Sequence, residues 1–302
     1  ADVLATLPQD KLAGLRLTHP HRIMYPAWGT TKLDLVTYYA QSAARMLPHL
    51  RQRPLSLYRC PEGVDGAGFF QKQPPAGLPD SVERVELTGD DEPRQVMIID
   101  DVAGLLALVQ FSVLEFHIGG SRLDRLDRPD QIVFDLDPDP AVDWETVRAA
   151  SVEVRQRLEA LGLVSFVKTS GGKGLHVVVP IKRRNSWDEV FEFSKGIAKQ
   201  LARERLSRFV ATVSKSARRG KIYIDYLRNK PVATAIAPWS TRARSTGAIA
   251  MPITWEELAR VTAPDQWTVA NVASRIASDQ ADAWEGFFEV NQSITKKMWQ
   301  SL

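Results

Sequence analysis

The run Ile132-Val133-Phe134-Asp135-Leu136-Asp137 sets two carboxylates two positions apart in an otherwise apolar stretch. Alternate side chains of an extended strand share a face, so Asp135 and Asp137 fall with Val133, opposite Ile132, Phe134 and Leu136. At ~3.3 Å per residue the two lie about 6.6 Å apart along the strand. Burying like charges that close without a cation forces one of them to take up a proton. Oxygen-only ligands select a hard ion, Mg²⁺ or Mn²⁺. The plain alternative is a strand end entering a turn, because Asp137-Pro138-Asp139-Pro140 is turn chemistry. An EF-hand is excluded, since Pro140 and Thr146 occupy the positions that need Gly and Glu. A third carboxylate stands in Lys221-Ile222-Tyr223-Ile224-Asp225-Tyr226-Leu227, where Asp225 points away from Ile222, Ile224 and Tyr226. A mid-strand Asp needs either a neighbouring Arg or a metal. Three Asp on two strands form the ligand set expected for two-metal phosphoryl transfer.

Between these strands lies Lys168-Thr169-Ser170-Gly171-Gly172-Lys173-Gly174-Leu175-His176, which fits neither a Walker A nor a Rossmann pattern. It reads either as a hairpin or as a backbone nest for phosphate in which Ser170, Lys173 and His176 add donors. Residues 215–244 carry Lys215, Arg218, Arg219, Lys221, Arg228, Lys230, Arg242 and Arg244 against the single acid Asp225. Arginine forks suit phosphate oxygens, although a solvated basic surface is the usual reading of such a run. A smaller basic group, Arg16, Arg22 and Lys32, includes a lysine at an expected helix start, where a terminal phosphate is a candidate ligand. Phe69-Phe70 offers a base-stacking platform, with at most one ring exposed. His117 faces either the core or the same site as the Asp pair, and Trp239 packs so as to set Arg242 in place.

Elements to position these groups are legible in the periodicity. Leu35, Tyr38, Tyr39, Ser42 and Met46 mark a helix over 34–47. Asp143 caps a second helix over 144–161, lined by Val147, Ala150, Val154, Leu158 and Leu161 and stopped by Gly162. Residues 131–137, 163–169, 175–181, 209–214 and 221–227 read as strands, 187–208 as a long amphipathic helix, and the chain from Thr254 onward as mostly helical. Residues 1–32 read as irregular, and 54–100 as strands and loops with an acidic turn around Gly89-Asp90-Asp91. Strands interleaved with helices predict an α/β or α+β fold. No Pro/Gly/Ser linker divides the 302 residues, so one catalytic domain with two lobes is expected, 1–120 and 121–302.

Composition narrows the class. A formal charge of +3 from 39 basic and 36 acidic residues does not by itself mark a nucleic-acid binder, because it averages an acidic site with a basic segment. The one cysteine, Cys60, rules out an internal disulfide framework and a multi-Cys zinc site, which fits a reducing compartment. No apolar run reaches the ~18 residues of a membrane span, so a cytoplasmic protein without a membrane partner is expected. The chain starts at Ala1 rather than Met, which points to processing or to a piece of something longer.

Taken in order, VFDLDP, TSGGKGLHV, YIDYLRN and APWSTRAR, with the opening LTHPHRIMYPAWGTTKLDLVTYY, resemble the polymerase domain of bacterial DNA ligase D, a member of the archaeo-eukaryotic primase superfamily. The resemblance covers nearly the whole chain. It implies a primase-polymerase-like catalytic core with two sheets flanked by helices, cut from a longer multidomain ATP-dependent ligase. It implies Asp135, Asp137 and Asp225 as ligands of two Mn²⁺ or Mg²⁺ ions, and Ser170, Lys173 and His176 as a nucleotide-binding loop. Arg218, Arg228, Arg242 and Arg244 then stand near the triphosphate, and His117 near the incoming sugar. Arg22 and Lys32 fall where relatives hold the 5′-phosphate of a downstream strand, and Phe69 near the template base. One departure is Ile118-Gly119-Gly120, where many relatives carry a Trp shortly after that His.

The resemblance further implies template-directed and end-extending addition of NTP or dNTP to the 3′-OH of DNA ends and gaps in non-homologous end joining. The implied partners are a Ku-like end-binding protein and a ligase domain of the same parent chain. Two other classes suit the same residues: a non-catalytic DNA-end-binding module, and a metal-dependent phosphoesterase.

Overall fold

Helix caps and strand alternation decide most of the elements in the computed structural model, which describes residues 16–87, 93–278 and 282–302. The acidic turn at Gly89-Asp90-Asp91 and the opening residues 1–15 lie outside the described residues. The chain folds as two compact units. One takes the residues up to Ile118 with Ile236–Ala250 and Trp267–Gln280; the other takes Gly119–Ala235, Met251–Gln266 and Ala281–Leu302. Two contiguous lobes are therefore not what forms. The break near residue 120 is present, but the segment carrying Arg242 and Arg244 belongs to the first unit.

In the first unit a short ribbon, β1 (Ile23–Tyr25) and β2 (Thr30–Thr31), runs into helix α1 (Lys32–Leu50). Thr31 starts this helix: its hydroxyl accepts from Asp34 N at 3.2 Å, and the Asp34 carboxylate accepts from Thr31 N at 2.7 Å. That capping box satisfies two otherwise orphaned donors. The stripe Leu35, Tyr38, Tyr39, Ser42 and Met46 is buried as its spacing predicts. Strands β3 (Leu55–Arg59), β4 (Phe69–Gln71), β5 (Glu83–Leu87) and β6 (Arg94–Ile98) follow, with β5 and β6 paired to each other. Helix α2 (Val102–Gln110), capped by Asp101, packs on α1 and leads to β7 (Val113–Ile118).

The second unit is built on β8 (Gln131–Pro138), with helix α3 (Trp144–Ala160), β9 (Phe166–Thr169), β10 (Leu175–Pro180), helix α4 (Trp187–Glu204), β11 (Phe209–Val210) and β12 (Ile222–Asp225). The chain then lends β13 (Ala235–Ile236) to a four-stranded sheet of order β13-β7-β3-β4. Finally β14 (Pro252–Ile253) completes a six-stranded sheet of order β11-β12-β8-β10-β9-β14. Ile132, Phe134 and Leu136 are fully buried, while Val133 on the other face packs with Val178, Trp284 and Phe287.

Several sequence expectations are shortened by side-chain substitutes for backbone pairing. The strand expected from 163 begins only at Phe166, because the Gln292 amide takes both polar groups of Val164, at 2.8 and 2.9 Å. The strand over 209–214 contracts to Phe209–Val210, and the long helix stops at Glu204. From Thr254 onward the described residues form three short helices, α5 (Trp255–Leu258), α6 (Ala273–Ala277) and α7 (Lys296–Trp299), rather than a helical region. Trp284 and Phe287 are inserted from turns instead, stacked at 4.9 Å with the Trp284 Nε1–H donating to Val167 O at 2.9 Å.

Asn229 does the same at the centre of the sheet. Beyond the end of β12, its buried side chain accepts from Val133 N at 2.8 Å and donates to Val133 O at 2.8 Å and Tyr226 O at 3.0 Å. The amide thereby extends the ladder on β8. Asn229→Ala leaves two buried backbone groups without partners at ~1–3 kcal/mol each, so a loss of about 2–6 kcal/mol is expected in denaturant unfolding.

Candidate active site

Register brings the charged residues of the second unit into one row. Asp135 on β8 faces Asp225 on β12 and His176 on β10, and His176 in turn faces Lys168 on β9. Asp137 stands opposite Tyr223. Arg228 Nε lies 3.3 Å from Asp135 Oδ2 and 3.3 Å from Asp225 Oδ2, so one guanidinium serves two carboxylates. Asp225 Oδ1 also accepts from Leu227 N at 2.9 Å, closing a local turn that sets Arg228 three residues on. Arg218 rests on the Tyr223 ring at 3.7 Å and reaches Asp137 Oδ2 at 3.5 Å. His176 Nε2 is 3.4 Å from Asp135 Oδ1.

These contacts divide the three carboxyls. Burial opposes ionisation of Asp135, but its contact with His176 and the charges of Arg228 and Lys168 outweigh it and hold the group below the usual range. Asp225 and the half-exposed Asp137 move the other way, raised by partial desolvation and by the charge on Asp135. Burial and Lys168 push His176 down to about 4, so it is neutral at physiological pH.

Among the described residues no three carboxylate, imidazole or thiol groups converge as a ready-made ion cage. The donor chemistry nonetheless fits a hard divalent ion. All three groups are carboxylates, and two are pushed toward protonation by desolvation and then by the Asp135 charge, which a bound cation would offset.

The glycine-rich loop is a hairpin joining β9 and β10. Ser170 N donates to Gly174 O at 3.0 Å, and its hydroxyl accepts from Gly172 N and Gly174 N at 3.2 Å each. A Cβ on Gly174 would sit 1.9 Å from Leu136 O, so only glycine lets the loop lie against β8 between its two Asp. Lys173 projects from the exposed tip and acts on the Asp137 carboxyl. The hairpin reading is the one that forms, and its serine is already engaged in shaping it.

The basic segment 215–244 is divided. Arg218 and Arg228 stand with the carboxylates, while Arg242 and Arg244 belong to the first unit. There the stretch Ala237–Arg244 is stitched along β7. Ala237 N donates to Phe116 O at 2.8 Å, the Ser240 hydroxyl accepts from Phe116 N at 2.9 Å, and Thr241 N donates to Tyr39 Oη at 3.0 Å. Trp239 sits at φ 67°, a conformation unusual for a non-glycine residue, and Tyr38 Oη donates to its carbonyl at 2.6 Å.

Glu115, unremarked in the sequence, binds both His117 and Arg242. Its signal was the one that exposed Asp225, an acid in the middle of an apolar strand. Phe70 rather than Phe69 packs on His117, at 5.4 Å, and both phenylalanines are exposed. Phe69 lies over Arg59 at 5.4 Å. Arg244 is exposed at a tight turn closed by Gly247.

Arg22 and Lys32 are brought together, with Lys32 N donating to Arg22 O at 2.9 Å. Arg22 Nη1 bonds Pro61 O at 2.5 Å, and the buried Lys32 Nζ bonds Gln110 O at 3.1 Å. Burial, then the charge on Arg22, lowers the Lys32 pKa. Glu62, 3.4 Å from Arg22 Nη1, supplies one negative charge there and acts against both effects.

Mixed sheets thus carry a carboxylate row beside a glycine hairpin and two arginine-bearing turns. The chain belongs to the family described as LigD, primase-polymerase domain, which it matches over residues 31–284. It is 37% identical over 293 residues to the multifunctional non-homologous end joining protein LigD of Pseudomonas aeruginosa, covering 96% of this chain and 35% of that protein. It is 36% identical over 252 residues to the protein of the same name from Mycolicibacterium smegmatis, covering 83% of this chain and 33% of that one. It therefore spans about a third of the length of these relatives. The polymerase domain of Mycobacterium tuberculosis ligase D, solved in complex with DNA, superposes with a TM-score of 0.83 at 32% identity, over 91% of this chain and 98% of that one. Among the described residues no helix is long and apolar enough to cross a membrane.

Glu115 gives a pH test of this geometry. Burial raises its pKa, but the bonds from His117, Arg242 and Ala243 more than reverse this and hold it at about 2. A carboxyl with a lowered folded pKa stabilises fully above its unfolded value near 4.5 and loses that contribution as pH falls, by up to about 3 kcal/mol. The stability difference between the protein and Glu115→Gln should narrow as pH drops from ~5 to ~3, measured by thermal unfolding.

Proposed function

We propose that this chain adds nucleotides to the 3′-OH of DNA ends and gaps, template-directed or by end extension, in non-homologous end joining. The observation that carries this reading is the register that sets Asp225 and His176 on either side of Asp135. Asp135, Asp137 and Asp225 would hold two Mg²⁺ or Mn²⁺ ions, whose bound charge supplies activation of a 3′-hydroxyl and stabilisation of leaving pyrophosphate. His176, neutral and buried, hydrogen-bonds the triphosphate without repelling the row of cations. The hairpin of Ser170 and Lys173 presents backbone N–H groups and one ammonium to the same phosphates. Arg218 and Arg228 neutralise negative charge as it moves onto the leaving group.

In the first unit, His117, Arg242 and Arg244 act on the incoming nucleotide. Arg22 and Lys32 bind the 5′-phosphate of a downstream strand, and Phe69 stacks near the template base with Phe70 beside it. The names of the relatives and the DNA-bound state of the solved polymerase domain support a role at DNA in end joining. A Ku-like end-binding protein and a ligase domain of the same parent chain are the proposed partners, in the bacterial cytoplasm.

Primer extension on a gapped duplex with Mn²⁺ separates the alternatives. An end-binding module adds no labelled nucleotide, and a phosphoesterase releases nucleotide or phosphate instead. Asp137 is an exposed side chain, so Asp137→Ala should remain folded and lose extension by about 100-fold or more; a folded variant of normal activity contradicts the mechanism. Lys32→Ala, with Arg22→Ala as its companion, should erase the preference for a 5′-phosphorylated gap and affect an unphosphorylated primer much less. Equal losses on both substrates count against a phosphate site there.

A further inference from the structure

Glu115 is a buried carboxylate that the reaction itself does not call for. It leaves β7 two residues before His117, so both side chains stand on one face of the strand. Its oxygens are divided between two tasks. Oε2 meets His117 Nε2 at 2.7 Å, while Oε1 accepts from Arg242 Nε at 3.0 Å and from Ala243 N at 2.8 Å. An ionised carboxylate only accepts, so His117 carries a proton on Nε2 and its ring plane is set by that bond. The guanidinium of Arg242 is tethered through Nε in the same way.

The surroundings hold each partner's other side. Tyr25 Oη donates to Arg242 O at 2.9 Å, and the Phe70 ring meets His117 edge-on with its own back against Tyr58 at 5.0 Å. Both groups are thereby framed by packing, and Glu115 binds both side chains.

We propose that Glu115 is a positioning residue that orients His117 and Arg242 together, so that the sugar-side and phosphate-side contacts to the incoming nucleoside triphosphate form one preformed unit. This rests on the reading of His117 and Arg242 as nucleotide-binding groups. A shared tether makes the two contacts interdependent. A carboxylate that merely filled the core would alter stability and leave nucleotide affinity alone.

The test is calorimetric titration of ATP with Mn²⁺ into the protein, Glu115→Gln, the double variant His117→Ala/Arg242→Ala, and the triple variant. Binding of a 5′-phosphorylated gapped duplex serves as a control on the same unit. Glu115→Gln should weaken ATP binding about tenfold and shift duplex binding by less than about twofold. Added to the double variant it should change ATP affinity by less than about twofold, since its partners are already gone. Unaltered ATP affinity in Glu115→Gln, or the same loss repeated in the triple variant, overturns the proposal. If Glu115→Gln does not fold, Glu115→Asp keeps the charge on a stem one methylene shorter and should show a partial loss; full affinity there overturns it equally. ATP binding with this dependence but no primer extension contradicts the polymerase reading and leaves the tether standing. No ATP binding by the unaltered protein overturns both.

Discussion

Antiparallel pairing of β8 with β12 forces Asp135 and Asp225 side by side, and everything near them answers that repulsion. Directly opposed like charges destabilise a sheet, and burial removes the water that would screen them. The protein offsets this with cations at fixed places: Arg228 between the two carboxylates and Lys168 two strands away beyond a neutral His176. Asn229 locks the turn that carries Arg228 onto β8, and Gly174 lets the hairpin lie against the same strand. This cost in stabilisation elsewhere is what the proposed cation chemistry at the row would account for.

The first unit meets a related problem with a different solution. Glu115 is buried on β7, and its compensation comes from a neighbour on the strand and from a segment more than a hundred residues downstream. That segment is held by Tyr25, Tyr38 and Tyr39, so the conformation of Arg242 depends on the helix cap at Thr31 and on the burial of the α1 stripe. Fold and site are thus linked through hydrogen bonds to buried hydroxyls rather than through apolar contact alone.

Much of this was legible in the residues. Alternation identified the faces of β8 and β12, the spacing of Leu35, Tyr38 and Tyr39 identified α1, and Asp143 marked the start of α3. What escaped had one physical character: side chains standing in for backbone. Asn229 and Gln292 satisfy ladder groups across more than 90 residues, and nothing in local propensity announces such a partner. The division of the basic segment between the units was hidden too, because charge runs show composition and not which strand they follow. Glu115 was within reach of the rule that flagged Asp225, and the adjacent phenylalanines needed the sheet to show that Phe70 shares the face of His117.

The central claim is that the Asp135, Asp137 and Asp225 carboxylates form one divalent-cation centre. It is tested most directly by electron paramagnetic titration of Mn²⁺ into the protein and into Asp135→Asn, with a non-hydrolysable nucleoside triphosphate present. Bound Mn²⁺ is expected in the protein and its loss in the variant, which preserves the shape of the side chain and removes only its charge. Equal Mn²⁺ binding by both would contradict it.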